Sequence, residues 1–166
     1  MINFKAVGLT VFPIACGSLN GIFFGPNRHN KDDYYNKLLK PPFQPPGWIF
    51  GPVWTTLYGM MGYASYRILS LDGKADISTA MTAYGVQFAL NMSWTPVFFG
   101  WHKMKTGGLI CAALSASIAW TIKEFHDLDL VASRLLYPYL AWSCFATVLT
   151  WSLVYLNKGN KALKEE

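Results

Sequence analysis

The chain has 166 residues, 52% of them hydrophobic, 16% aromatic and only 14% charged, with a net charge of +5. A soluble domain of this size could not bury so much apolar surface, so the composition excludes an ordinary water-soluble enzyme or scaffold. The basic excess forms no stripe suited to nucleic acid. Cys16, Cys111 and Cys144 follow neither a metal-ligand spacing nor a disulfide framework, so no metal and no resident cofactor is implied.

Five apolar runs of about the length that crosses a bilayer follow in chain order, near residues 6–25, 46–69, 79–100, 107–123 and 134–156. None contains Asp or Glu. The first carries Pro13, Asn20 and the small-residue strip Gly17, Gly21 and Gly25. A long polar connector, "PNRHNKDDYYNKLLKPPFQP", leads to the second, where Pro52 interrupts a run with Trp54, Tyr58 and Met61 on one stripe. In the third, a step of about 100° per residue puts Tyr84, Gln87, Asn91, Trp94 and Phe98 on one face and Gly85, Ala89 and Ser93 on the other. The fourth has no proline. The fifth has Pro138 near its start and carries Tyr139, Trp142, Ala146 and Leu149 on one stripe. Lipid offers the backbone no hydrogen-bond partner, so the runs must be helical. The expected fold is an all-α membrane protein, one domain over residues 1–166, a bundle of five transmembrane helices.

Four runs carry a proline inside or near their start. Proline frees the carbonyl four residues earlier: those of Leu9, Trp48, Met92 and Arg134. Such carbonyls at membrane depth need a partner or a cavity, and with the aromatic faces this points to a cavity inside the bundle. Asn91 suits either a ligand contact or an interhelical hydrogen bond. Trp48 and Trp101 suit the membrane–water interface. With five spans, the first loop, third loop and C-terminus share a side bearing nine Lys and Arg residues (Arg28, Lys31, Lys37, Lys40, Lys103, Lys105, Lys158, Lys161, Lys164) against five on the other, placing the C-terminus in the cytosol.

The stretches "KPPFQPPGWIFGPVWTTLYGMMGYASY", "ALNMSWTPVFFG" and "SRLLYPYLAWSCFATVL" together resemble the translocator protein family, the peripheral-type benzodiazepine receptors of animals and tryptophan-rich sensory proteins of bacteria. The resemblance implies a five-helix bundle whose long first loop acts as a lid over a cytosol-facing cavity. It implies porphyrin, cholesterol and synthetic benzodiazepine or isoquinoline ligands, and a homodimer. The family's pocket residues correspond to Tyr35, Trp54, Asn91, Trp142 and Ala146, with Trp94 on the same face as Asn91. The chain departs from the family at Phe43, where the loop usually has Trp, at Met92, and at Thr95–Pro96. A loose sterol pattern falls on Leu153, Tyr155 and Lys158, with Trp151 at the usual tyrosine position; interfacial anchoring explains these residues equally well. The animal-like "SRLLYPYLAW" favours a mitochondrial outer membrane over a bacterial one.

Three functions fit these residues. The leading one is a receptor or translocator for flat apolar molecules. The second is a light-dependent porphyrin-degrading enzyme, which the resemblance would rest on Trp54 and Trp142. The third, a proton-coupled transporter, is disfavoured because no acid lies in a span. No other catalytic constellation is visible, and binding without catalysis is the favoured reading.

Overall fold

The computed structural model describes residues 4–26 and 33–159, which are helical and contain no strand. Helix α1 spans Phe4–Phe24, α2 Gly47–Leu69 and α3 Ser78–Thr95; α3 runs on into a π-helical turn at Pro96–Gly100. Helix α4 spans Met104–Leu128, beyond the expected 107–123 at both ends, and α5 (Leu130–Leu135) and α6 (Tyr137–Leu156) together form the last apolar stretch.

Three segments, Phe4–Phe24, Met104–Leu128 and Leu130–Leu156, are long and apolar enough to cross a membrane. Helices α2 and α3 are diluted by Gly, Ser, Thr, Tyr, Gln and Asn, which lower hydropathy without adding charge; Arg67 is the one charged residue in the two. Helix α1 packs on α2, α3 on α4, and α4 on α6.

The prolines act differently from one another. Pro13 and Pro52 lie inside unbroken helices. Pro96 coincides with the switch to the wider π turn, closed by the Trp101 N–H donating to the Pro96 carbonyl at 2.8 Å. Pro138 sits in the first turn of α6, just after the break at Leu136. The carbonyl that Pro96 frees, on Met92, accepts from Asn20 Nδ2 at 2.8 Å, tying α1 to α3. The Leu9 carbonyl, freed by the fully buried Pro13, faces Gly62 of α2, where an added Cβ would come within 2.6 Å of its oxygen. Only glycine allows that approach.

Two packed regions flank the bundle's interior. One joins Leu57, Met61, Ala64 and Ile68 of α2 to Ile118, Ile122 and Phe125 of α4 and to Tyr139. The other joins Tyr34 and Leu38 of the first connector to Phe98 and Leu153. Beyond the first region, Arg67 pairs with Asp129 at 2.8 Å. Asp129 also caps α5, its Oδ1 accepting from the Val131 and Ala132 N–H groups. Burial alone would raise the Asp129 carboxyl, but the Arg67 hydrogen bond and the backbone donors outweigh it and hold it below the usual carboxylate range.

Candidate ligand cavity

A cavity of about 470 Å³ borders both packed regions, with Leu114 from the first and Phe98 and Leu153 from the second in its wall. Tyr35, Trp54, Asn91, Trp94, Trp142 and Ala146, the six residues expected in a pocket, all line it. They come from the first connector, α2, α3 and α6. For the five on helices the helical step explains the convergence, since each lies on the stripe its helix turns inward.

The walls are aromatic and mutually braced. Trp54 lies 5.4 Å from Tyr58 and 6.1 Å from Tyr139, centroid to centroid. Phe50 meets the Trp142 ring edge-on at 5.7 Å. Trp94 stacks on Phe98 at 5.0 Å and meets Phe99 edge-on at 5.4 Å. The indole N–H groups of Trp94 and Trp142 are buried without an acceptor among the described residues. Among the described residues no Asp, Glu, Lys, Arg or His lines the cavity; Ser18, Thr55, Thr95, Cys111, Ser143 and Thr150 supply its small polar groups.

Asn91 is engaged in the protein's own hydrogen bonds. Its Oδ1 accepts from the Tyr58 hydroxyl at 2.7 Å and its Nδ2 donates to the Tyr139 oxygen at 2.8 Å. Tyr139 in turn donates to Gln87 Oε1 at 3.0 Å, and Gln87 Nε2 reaches Met61 Sδ at 3.2 Å. This chain of side chains links α2, α3 and α6 across the cavity's inner end. The interhelical role is therefore occupied, and only 4% of Asn91 is exposed.

The described part of the first connector, residues 33–46, borders the other end through Tyr35 and is held at two points. The Asn157 amide, just after α6, makes a two-way backbone clamp on Leu39: its Oδ1 accepts from the Leu39 N–H and its Nδ2 donates to the Leu39 carbonyl, both at 2.9 Å. The Tyr34 ring stacks on His102 at 4.2 Å and its hydroxyl donates to the His102 carbonyl at 3.2 Å. Burial pushes the Tyr34 hydroxyl up to about 12. Between these points Tyr35 faces the cavity, with Gln44 donating to its hydroxyl at 3.0 Å and Lys40 Nζ 4.4 Å above its ring. These contacts place the first connector, the loop at His102 and the end of α6 at one end of the bundle.

The other residues singled out in the sequence are scattered. Leu153, Tyr155 and Lys158 do not share a face: Leu153 is 3% exposed and lines the cavity, while Tyr155 is 80% exposed on the outside. Residues two apart on a helix lie about 200° around the axis from each other, so the pattern cannot present one surface. Phe43 does not reach the cavity either; it lies edge-on to Phe145 at 6.4 Å and borders an outer groove with Trp151 and Tyr155. The glycine strip of α1 is not a uniform contact surface. Gly17 packs against the Tyr58 ring, whereas an added Cβ on Gly21 would meet nothing within 4 Å. Trp48 and Trp101 are 68% and 64% exposed, at the end where the first connector lies. His29 and the basic residues Arg28, Lys31, Lys161 and Lys164 lie outside the described residues.

Cavity residues that periodicity did not single out include Phe50, Phe99, Ser143 and Thr150. Phe99 escaped because the π turn rotates it out of the 100° register. Asn157 carried no signal beyond being the first polar residue after an apolar run.

Comparison with known proteins agrees over nearly the whole chain. The model of the TspO/MBR family matches residues 9–156. The translocator protein of Bos taurus is 37% identical over 158 residues, covering 89% of this chain and 87% of its own. The tryptophan-rich sensory protein of Cereibacter sphaeroides is 36% identical over 148 residues, covering 88% and 89%. Protein CrtK of Rhodobacter capsulatus is 32% identical over 163 residues, covering 95% and 99%.

Proposed function

From its membership of the TspO/MBR family, to which this chain belongs, we propose that this helical membrane protein binds flat, largely apolar molecules inside the bundle and serves their transport or sensing. The observation that carries the reading is a cavity of about 470 Å³, with no charged side chain among its described lining residues, walled by Trp54, Trp94 and Trp142 and bordered by Tyr35. Ligand pockets have this character: mostly aromatic walls, a few polar groups for orientation, and a volume of about 300–1,000 Å³. The ligand classes proposed are porphyrins, sterols such as cholesterol, and benzodiazepine-type drugs. For a porphyrin, the macrocycle lies against Trp54 and Trp142 and its carboxylates point to the end near Lys40, whose Nζ lies 4.4 Å over the Tyr35 ring. The first connector is the lid. No resident cofactor is needed; the porphyrin is cargo.

The topology proposed is five spans, α1, α2, α3 with its π turn, α4, and α5–α6, with the first connector and the C-terminus on the cytosolic side. Helix α2 has 23 residues, about 34 Å of helix, enough for a bilayer core. The favoured membrane is the mitochondrial outer membrane. A homodimer is proposed through α3, whose Gly85 and Ala89 face outward; an added Cβ at Gly85 meets nothing within the chain. Ala89→Leu then weakens the dimer and leaves the cavity untouched.

The deciding experiment is quenching of tryptophan fluorescence in the purified protein by protoporphyrin and by a sterol analogue. Saturable quenching by either supports the cavity reading and ranks the two classes; none by either overturns it. A second reading, light-dependent porphyrin breakdown, is favoured by the shared cavity position of Trp54 and Trp142. Illumination that yields a new product dependent on both tryptophans selects it. Proton-coupled transport has no charged cavity side chain to support it among the described residues.

A further inference from the structure

The antiparallel contact between α1 and α2 is tight at one end and open at the other. Going from the end far from the lid, a Cβ on Gly62 would fall within 2.6 Å of the Leu9 carbonyl, Ile14 lies 3.6 Å from the Cβ position of Gly59, and Gly17 packs on the Tyr58 ring. One turn further along α1, and about two further along α2, the contact ends. Added Cβ atoms on Gly21 of α1 and Gly51 of α2 would meet nothing within 4 Å. Ser18 and Gly21 on one side and Gly51 and Thr55 on the other are exposed, yet all four also border the cavity. A residue that is both outside and at the cavity edge marks an opening. The gap lies within the helical, membrane-facing part of the bundle, and its edges carry no charge.

The lid end is built in the opposite way. Its described part is held by the two-way Asn157–Leu39 clamp and by the Tyr34–His102 stack and hydrogen bond. Opening there breaks at least three polar contacts; among the described residues, passage between α1 and α2 breaks none.

We infer that ligands enter and leave the cavity sideways, from the bilayer, through the glycine-edged gap between α1 and α2, while the first connector stays latched. The inference rests on the cavity being the ligand site. It also fits the cargo: an apolar molecule concentrates in lipid, so a lateral door spares it the passage through water.

The test is stopped-flow quenching of the protein's tryptophans by protoporphyrin in lipid nanodiscs. Three chains are compared: the parent, Gly21→Leu with Gly51→Leu, and Asn157→Ala. The paired leucines narrow the gap and are expected to slow association and dissociation together, about tenfold or more, so that affinity moves far less than either rate. The milder pair Gly21→Ala with Gly51→Ala falls between. Both substitutions favour helix over glycine, which protects folding, and size-exclusion chromatography with thermal melting checks it. Asn157→Ala is expected to leave both rates near the parent's. If Asn157→Ala instead speeds both rates and the leucine pair does not slow them, the lid is the door and the inference fails. If the leucine pair abolishes equilibrium binding in a folded protein, the gap is pocket wall, which also overturns it. No saturable quenching in the parent would overturn the cavity reading itself, a result distinct from either.

Discussion

Replacing Asn91 by leucine separates a structural amide from a ligand-binding one. The change nearly conserves volume, so packing is disturbed little. It removes two hydrogen bonds, from Tyr58 at 2.7 Å and to Tyr139 at 2.8 Å. Tyr139 keeps its bond to Gln87, but Tyr58 loses its acceptor. Interhelical side-chain bonds in a membrane average about 0.6 kcal/mol and reach about 1.7. A hydroxyl left unsatisfied adds about 1–3 kcal/mol. Asn91→Leu should therefore destabilise the bundle by about 2–4 kcal/mol, or roughly 5–15 °C in melting temperature for a chain of this length. Tyr58→Phe alone leaves Asn91 with its bond to Tyr139 and should cost less. The double variant Asn91→Leu with Tyr58→Phe removes the orphaned hydroxyl and should be more stable than the sum of the single losses by about 1–2 kcal/mol, the coupling expected of direct partners. The assay is thermal unfolding in detergent followed by tryptophan fluorescence, with protoporphyrin quenching alongside. A parent-like melting temperature with affinity reduced about tenfold or more would show that ligand, not Tyr58 and Tyr139, is the partner that matters, and would refute the argument.

Other perturbations follow from the same geometry. Trp54→Ala and Trp142→Ala should each weaken porphyrin binding about tenfold or more, from lost stacking and lost apolar area; unchanged affinity in the folded double variant rejects the site. Gly62→Val should destabilise by about 1–3 kcal/mol or more in thermal melting, because its side chain would collide with the Leu9 carbonyl, whereas Gly85→Val should be near neutral for the monomer. Tyr34 is held up at about 12 by burial, against an ordinary 10.0, so the latch stability tied to its neutral hydroxyl is intact below pH 10 and is lost as pH rises toward 12. Ultraviolet difference titration of the parent against Tyr34→Phe checks this, and an identical alkaline transition in both refutes it. Asp129 is shifted the other way, so its contribution is present above the ordinary carboxylate value and is lost as pH falls through its lower folded value. Arg67→Gln should remove about 1–2 kcal/mol at neutral pH, read as a lower melting temperature, together with much of that acid-sensitive part.

What could be read from the sequence, and what could not, divides along a physical line. Periodicity within one helix is local, and it sorted α3 correctly: Gln87 and Asn91 are buried while Gly85 and Ala89 face out. Proline chemistry is also local, and it identifies the Met92 carbonyl as freed. It cannot name the partner, because Asn20 lies 72 residues away and meets Met92 only once α1 and α3 are packed. The Asn157 clamp on Leu39, 118 residues apart, is further still beyond any pattern in the chain. A third kind of ambiguity concerns small residues. Gly17 and Gly21 share one strip and one spacing, yet the first fits against Tyr58 and the second borders open space. A missing side chain permits both close contact and a gap. Which one occurs depends on how fast two helices diverge, and that is set by anchors elsewhere: Gly62 holds α1 to α2 at one end while Asn20 draws it toward α3 near the other. The opening between α1 and α2 thus follows from two contacts made to different neighbours, and each can be tested apart from the cavity it exposes. Asn20→Ala releases the pull toward α3 and should let α1 close on α2. In the nanodisc quenching experiment it should slow porphyrin exchange in the same direction as the leucine pair, by about threefold or more, without placing any atom in the gap. Exchange that instead matches the parent in a folded Asn20→Ala protein would show that Asn20 does not hold the two helices apart.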